Sequence, residues 1–220
     1  LKEYLGRTRT DYNNASALNI LKYSNIDNVV KGSNPFAVVL ANQILKKEGL
    51  RTATQSDLEK AMMFGILYLG RTSEDTGLVL KSEDDLDSPE NTLLAKNLSK
   101  KVRLRGFNFS PENPVMIPLI GLELENAENK YGLVFKLRED ADVYEATILK
   151  TNGKFTSEDI DEKTGLPTKL SEGDRSLHTK PSGLSRLDLS SYLGLHCDSR
   201  PLDYSLDSGR IIVVKEGGNQ

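Results

Sequence analysis

A chain of 220 residues with a net charge of −3 can bury a sizeable core without disulfides, and its mildly acidic balance is untypical of a dedicated nucleic-acid-binding protein. The single cysteine, Cys197, excludes an intramolecular disulfide and a multi-cysteine zinc site, and it favours a reducing, cytoplasmic setting. No stretch approaches the roughly 20 apolar residues of a membrane-spanning helix, and residues 1–10 lack the apolar region of a signal peptide.

The first third of the chain, residues 1–72, is predicted to be helical. Residues 13–24 carry apolar side chains at helical spacing. A second helix should follow Asn34, which suits the N-cap, with Pro35 in its first turn and Gly49 as its C-terminal stop.

A third helix is expected to begin at Ser56, which forms a capping-box pattern with Glu59. The segment 49–55 is long for the turn of a helix-turn-helix motif, and Asp57 would repel phosphates at the start of a recognition helix. We therefore favour an N-terminal helical bundle held by ordinary packing over a helix-turn-helix motif.

The periodicity then changes, and residues 73–150 are predicted to follow the order β-α-β-β-β. A short buried strand at 77–81 precedes a helix that begins at Ser88-Pro89 and ends near Arg105. Three strands of an antiparallel meander follow at 115–124, 133–137 and 143–149.

Residues 151–182 are rich in turn-forming and polar residues, and their apolar residues keep neither helical nor strand spacing. This pattern predicts an exposed, extended loop, which is also where a partner interface is expected. The segment 183–220 should end in a strand at 210–214 that returns to the same sheet. The predicted fold is therefore α+β, a helical bundle followed by a mixed, mainly antiparallel sheet with one packed helix.

Several segments resemble a group of uncharacterised proteins from small-genome archaea of the DPANN type. The resemblance rests on residues 75–82, 94–98, 114–119, 131–135, 157–167, 182–189 and 207–214. It extends from about residue 5 to residue 215. It implies a cytoplasmic archaeal protein and brings no functional residue with it.

The strongest candidate contact site is a basic cluster at the end of the helix predicted to follow residue 88. Its members are Lys100, Lys101, Arg103 and Arg105. Phe107 and Phe109 follow, so the cluster could bind phosphates and stack bases. Cations also stabilise a helix C-terminus, however, so a purely structural role is the favoured interpretation.

No catalytic or metal-binding pattern stands out. Asp159 and Asp161 begin like a calcium loop, but Lys163 occupies a ligand position. Cys197 and His178 lack the surroundings of a cysteine enzyme, and a lone cysteine is more often a small buried apolar residue.

We therefore expect a non-enzymatic binding or interaction protein with a protein partner, no cofactor and no membrane association. The alternative is a nucleic-acid-associated protein that uses the N-terminal helices and the basic cluster. A hydrolase that uses carboxylates or Cys197 ranks last.

Overall fold

The computed structural model describes residues 1–18, 22–24, 29–70, 72–86, 88–197, 200–205 and 208–217, and it confirms an α+β protein. The helices in these ranges are Lys2–Thr10 (α1), Pro35–Leu45 (α2), Gln55–Met63 (α3) and Asn91–Leu104 (α4). The strands are Lys22–Ser24 (β1), Val29–Lys31 (β2), Leu50–Thr52 (β3), Glu74–Leu80 (β4), Val115–Pro118 (β5), Leu122–Asn126 (β6), Leu133–Leu137 (β7), Tyr144–Glu145 (β8), Gly153–Phe155 (β9), Arg175–Thr179 (β10), Leu184–Leu189 (β11), Leu195–Cys197 (β12) and Val213–Lys215 (β13).

A seven-stranded mixed sheet dominates the described structure, with the strand order β8-β5-β4-β11-β12-β10-β9. The neighbouring strands are antiparallel except β10 and β12, which are parallel. Successive residues of β4 face opposite sides: Leu78 and Leu80 belong to one apolar cluster, and Val79 belongs to another. The helices α2 and α4 cover the first side, and Leu58 of α3 joins the cluster on the second.

The predicted meander is confirmed only for the antiparallel pairing of 122–126 with 133–137, because the strand expected at 115–124 is two strands in two sheets. It breaks after Pro118, where a 3-10 turn at Leu119–Gly121 redirects the chain. The first piece, β5, pairs with β4 and β8, whereas β6 forms a separate hairpin with β7. Only Tyr144–Glu145 of the third expected strand is extended, and it pairs with β5.

The N-terminal helical bundle is not confirmed. The described parts of the helix expected at 13–24, residues 13–18 and 22–24, are not α-helical: Asn13 and Asn14 have positive φ angles of 48° and 56°, Ser16–Leu18 is a 3-10 turn and Lys22–Ser24 is a strand. Asparagine tolerates this left-handed backbone because its short side chain bonds locally, so the apolar spacing alone misled the prediction. The strand β3 also lies within this third of the chain.

The second predicted helix is confirmed, whereas the capping box of the third is displaced. The Asn34 side chain accepts a hydrogen bond from the Ala37 amide at 2.9 Å, so it caps α2 as expected. In α3 the box is formed by Thr54 and Asp57 instead of Ser56 and Glu59. Arg51 holds the Asp57 carboxylate at 2.5 and 3.0 Å, which stabilises this earlier start.

The prediction that 151–182 lies outside the core is wrong for its two ends. The strand β9 pairs with β10 at the edge of the main sheet, and Phe155 and Leu177 are fully buried. These strands are short, so composition averaged over the segment conceals them. The strands β11 and β12 also join the main sheet, but β13 pairs with β3 and does not return to it.

Candidate functional site

The basic cluster is divided between structural and exposed cations. Arg105 donates to the backbone carbonyls of Arg138, Glu139 (3.1 Å) and Ala141 (2.5 Å). These bonds join the end of α4 to the loop that follows β7. The role of Arg105 is thus structural, because its guanidinium is occupied by the protein's own backbone.

Arg103 is also engaged, whereas the two lysines are free in the described structure. Arg103 forms an ion pair with Glu83, and its guanidinium carbon lies 4.9 Å from the centre of the Phe109 ring. Lys100 and Lys101 are exposed, and among the described residues neither has an ion pair. Of the four cations in the cluster, only these two lysines are available to bind the phosphates of a nucleic acid.

We expect Arg105→Ala to lower the free energy of unfolding by about 2 kcal/mol, because charged hydrogen bonds to three carbonyls are lost. The double variant Lys100→Ala/Lys101→Ala should change it by less than about 0.5 kcal/mol, as exposed side chains generally do. Urea denaturation measures both values. Equal effects would show that Arg105 is not a structural link.

The single cysteine faces the core, so it does not pair with His178. In the parallel register of β10 and β12, His178 lies opposite His196 and Thr179 lies opposite Cys197. The two histidine rings are 4.8 Å apart, on the side of the strands that Cys197 does not occupy. Cys197 is fully buried, as expected for a small apolar residue.

A buried charge cluster between β4 and β11 escaped the sequence analysis. The Arg186 Nε atom lies 3.0 Å from Asp75 Oδ1 and 3.3 Å from Asp188 Oδ1, and all three side chains are buried. The Ser33 hydroxyl donates to Asp75 at 2.8 Å, and Arg186 Nη1 donates to the Tyr204 carbonyl at 2.8 Å. The cluster thereby joins the segment before α2 and the segment around 204 to the centre of the sheet.

This cluster shifts the titration of its carboxyl groups. Burial raises the pKa of Asp188 to about 6, although the neighbouring Arg186 opposes the shift, and burial also raises the pKa of Asp75. Raised carboxyl pKa values are typical of functional sites but also of structural clusters. We assign this cluster a structural role, since its side chains are inaccessible to a ligand.

A polar cavity of about 460 Å³ lies beside the N-terminal half of α3. Its wall includes Arg51, Arg138 and Tyr144, and Lys163 lies 5.2 Å from the Tyr144 ring. Both arginines are already paired, Arg51 with Asp57 and Arg138 with a neighbouring carboxylate. Because its lining holds five acidic and five basic side chains, the cavity does not select one sign of charge.

A second cavity of about 370 Å³ lies next to the first, and we call it the α3 groove; the two share Ser56, Lys60 and Glu162 in their linings. Its apolar lining comprises Met62, Met63, Ile160 and Leu193. Its polar lining comprises Ser56, Glu59, Lys60, Ser157, Glu158, Asp161, Glu162 and Arg175.

One wall of the α3 groove comes from the segment that was predicted to be an exposed loop. The Ser56 hydroxyl donates to the Glu162 carbonyl at 2.6 Å, and Gly165 lies against the backbone of Gln55 and Ser56. A Cβ at Gly165 would lie 2.5 Å from the Ser56 amide nitrogen, so only glycine permits this approach. The segment is therefore fixed against α3, which gives the groove a defined wall.

Four large apolar side chains continue outward from the α3 groove along the chain. Met63, Phe64, Ile66 and Tyr68 are 69, 69, 80 and 88% exposed. We call these four residues the apolar edge. Several large apolar side chains exposed within one short stretch of chain are typical of surfaces that bind other molecules.

The backbone of the apolar edge is ordered by a helix stop. The Gly65 amide donates to the Met62 carbonyl and the Ile66 amide donates to the Ala61 carbonyl, both at 2.9 Å, with Gly65 at a φ of 66°. These are the two backbone hydrogen bonds that define a Schellman motif at a helix C-terminus. The Ile66 side chain is nevertheless 80% exposed, so this turn presents an apolar side chain on an ordered backbone.

Comparison with family models, with curated proteins and with solved structures finds no match for this chain. In the described part of the chain, no helix has the length and apolar character to cross a membrane. Within the same residues, no three His, Cys, Asp or Glu side chains are grouped so that they could hold a metal ion.

Proposed function

We propose that the protein is a non-enzymatic interaction module that binds a partner protein through the α3 groove and the apolar edge. The observation that supports this most directly is the exposure of Phe64, Ile66 and Tyr68 on an ordered backbone. Leaving such side chains in water costs free energy that a partner recovers by covering them.

The composition of the α3 groove fits the same function. Met62, Ile160 and Leu193 are the half-buried apolar residues of its lining, which we call its floor, and the exposed Met63 follows Met62 in the same lining. Methionine side chains are flexible and polarisable, and they are common on surfaces that accept apolar anchors of a partner. An amphipathic helix laid in an apolar groove is a recurrent mode of peptide recognition.

The basic cluster supports nucleic-acid association less well, because Arg103 and Arg105 are engaged within the protein. Association with nucleic acid through Lys100 and Lys101 stays a prediction, as does the cytoplasmic location. Neither depends on the α3 groove.

The proposal predicts that a fluorescently labelled amphipathic peptide of about 16 Leu and Gln residues, long enough to form a helix, binds the protein. The variant Phe64→Ser/Ile66→Ser should weaken this binding at least tenfold, about 1.4 kcal/mol, because interface anchors contribute more than rim residues. Fluorescence anisotropy measures the affinity.

Leu104→Ser is the matched control, since Leu104 is 81% exposed but lies at the end of α4. Its affinity should equal that of the unmodified protein. An equal loss in the control and in the Phe64→Ser/Ile66→Ser variant would contradict a specific role for the apolar edge.

A further inference from the structure

We propose that the segment bound in the α3 groove is cationic and amphipathic and belongs to a different protein. This inference rests on the proposed function and adds the chemistry of the partner. It follows from the charges around the groove.

The rim of the α3 groove is acidic. Glu59 and Arg175 neutralise each other through two bonds of 2.6 and 2.7 Å. The remaining charged side chains of the lining are the carboxylates of Glu158, Asp161 and Glu162, opposed by Lys60. The excess of negative charge therefore lies directly beside the apolar floor.

Two of these carboxylates are available to a partner. Glu158 and Glu162 are exposed, and within the described ranges neither forms an ion pair. Asp161 is held by its own turn, where it accepts bonds from the Thr164 amide and hydroxyl at 2.8 Å. Lysine or arginine side chains flanking an apolar anchor would complement Glu158 and Glu162.

The same charges disfavour two other occupants. A second copy in a two-fold contact centred on the groove would bring the net negative charge of one rim close to that of the other. An anionic lipid surface would be repelled by Glu158 and Glu162 for the same reason. A cationic segment alone satisfies both the apolar floor and the acidic rim.

The test compares three labelled amphipathic peptides with identical leucine positions and with Lys, Gln or Glu at the polar positions. We expect the Leu/Lys peptide to bind about tenfold more tightly than the Leu/Gln peptide at low salt, and the Leu/Glu peptide to bind most weakly. Raising the salt from about 50 to about 300 mM should weaken only the Leu/Lys complex towards the Leu/Gln affinity. A scrambled Leu/Lys peptide without an apolar face controls for non-specific attraction.

The variant Glu158→Gln/Glu162→Gln should remove most of the Leu/Lys advantage and leave Leu/Gln binding unchanged. Glu128→Gln, at an exposed position away from the α3 groove, is the control and should change neither affinity.

Equal affinities for the Leu/Lys and Leu/Gln peptides would overturn the cationic partner but leave the proposal of an interaction module intact. Failure of all the peptides to bind, or binding that survives Phe64→Ser/Ile66→Ser, would overturn both. A concentration-dependent dimer closed by the apolar edge, or binding to anionic vesicles, would also contradict the inference.

Discussion

Replacing Arg175 with methionine should lower the free energy of unfolding by about 3–5 kcal/mol, because it leaves the buried Glu59 carboxylate without its counter-ion. Arg175 donates to both Glu59 oxygens and to the Leu193 carbonyl at 2.8 Å, and its guanidinium lies 4.6 Å from the centre of the Phe155 ring. These contacts fix α3 to the edge strands of the main sheet. Urea denaturation at neutral pH gives the value.

Two further variants separate a buried ion pair from general disruption. Adding Glu59→Gln to Arg175→Met should recover part of the loss, since no buried charge then remains uncompensated. The exposed pair of Lys136 and Glu125, 3.0 Å apart, is the matched control, and Lys136→Met should cost less than about 1 kcal/mol. If Arg175→Met costs no more than Lys136→Met, the pair of Arg175 and Glu59 does not hold α3 to β10.

Replacing Asp188 with asparagine should remove a pH-dependent loss of stability. Because burial raises the Asp188 pKa from 3.8 to about 6, the folded protein holds this proton more strongly than the unfolded chain does. The stabilisation that protonated Asp188 adds to the free energy of unfolding is therefore fully present below about pH 4 and is lost as the pH rises through about 6. At about 1.4 kcal/mol for each pKa unit, the expected loss is of the order of 2–3 kcal/mol.

The quantity to measure is the difference in free energy of unfolding between the unmodified protein and Asp188→Asn from about pH 4 to pH 8. Asp75 and Arg186, together with His196 and Arg200, set the field at Asp188, and the variant retains all four. As the pH rises, the free energy of unfolding of the unmodified protein should fall relative to that of Asp188→Asn. A constant difference across this range would show that Asp188 stays ionised throughout.

Local signals in the sequence predicted α2 together with its cap, whereas α4 has no side-chain cap and begins at Asn91, after the expected start at Ser88-Pro89. Asn34 and Pro35 fixed the start of α2, and the apolar spacing of Leu94, Leu98 and Val102 located α4. Such elements depend on interactions within a few residues, so a single chain contains the information.

The elements that were missed depend on distant partners. The strand β10 holds a buried arginine, and a charge in the core becomes tolerable only through Glu59, more than a hundred positions earlier in the chain. The bend after Pro118 likewise sends β5 and β6 to different sheets, which alternation of apolar residues does not reveal.

The candidate site was visible only in part. The segment 151–182 was predicted to carry a partner interface, which stays a prediction, and its residues Glu158 and Glu162 line the α3 groove. Met63, Phe64 and Ile66, in contrast, continue the apolar pattern of a helix and would be assigned to the core. Their exposure follows from the helix stop at Gly65 and from the absence of a neighbouring element over them in the described structure.

The most direct test of an interaction site at α3 is a nuclear magnetic resonance titration of the isotope-labelled protein with the Leu/Lys peptide. We predict that the amide signals of 60–68 and 157–162 shift with a common binding curve, and that those of 98–105 around the basic cluster stay in place. Shifts concentrated at Lys100 and Lys101, or spread without a preference for α3, would contradict the account.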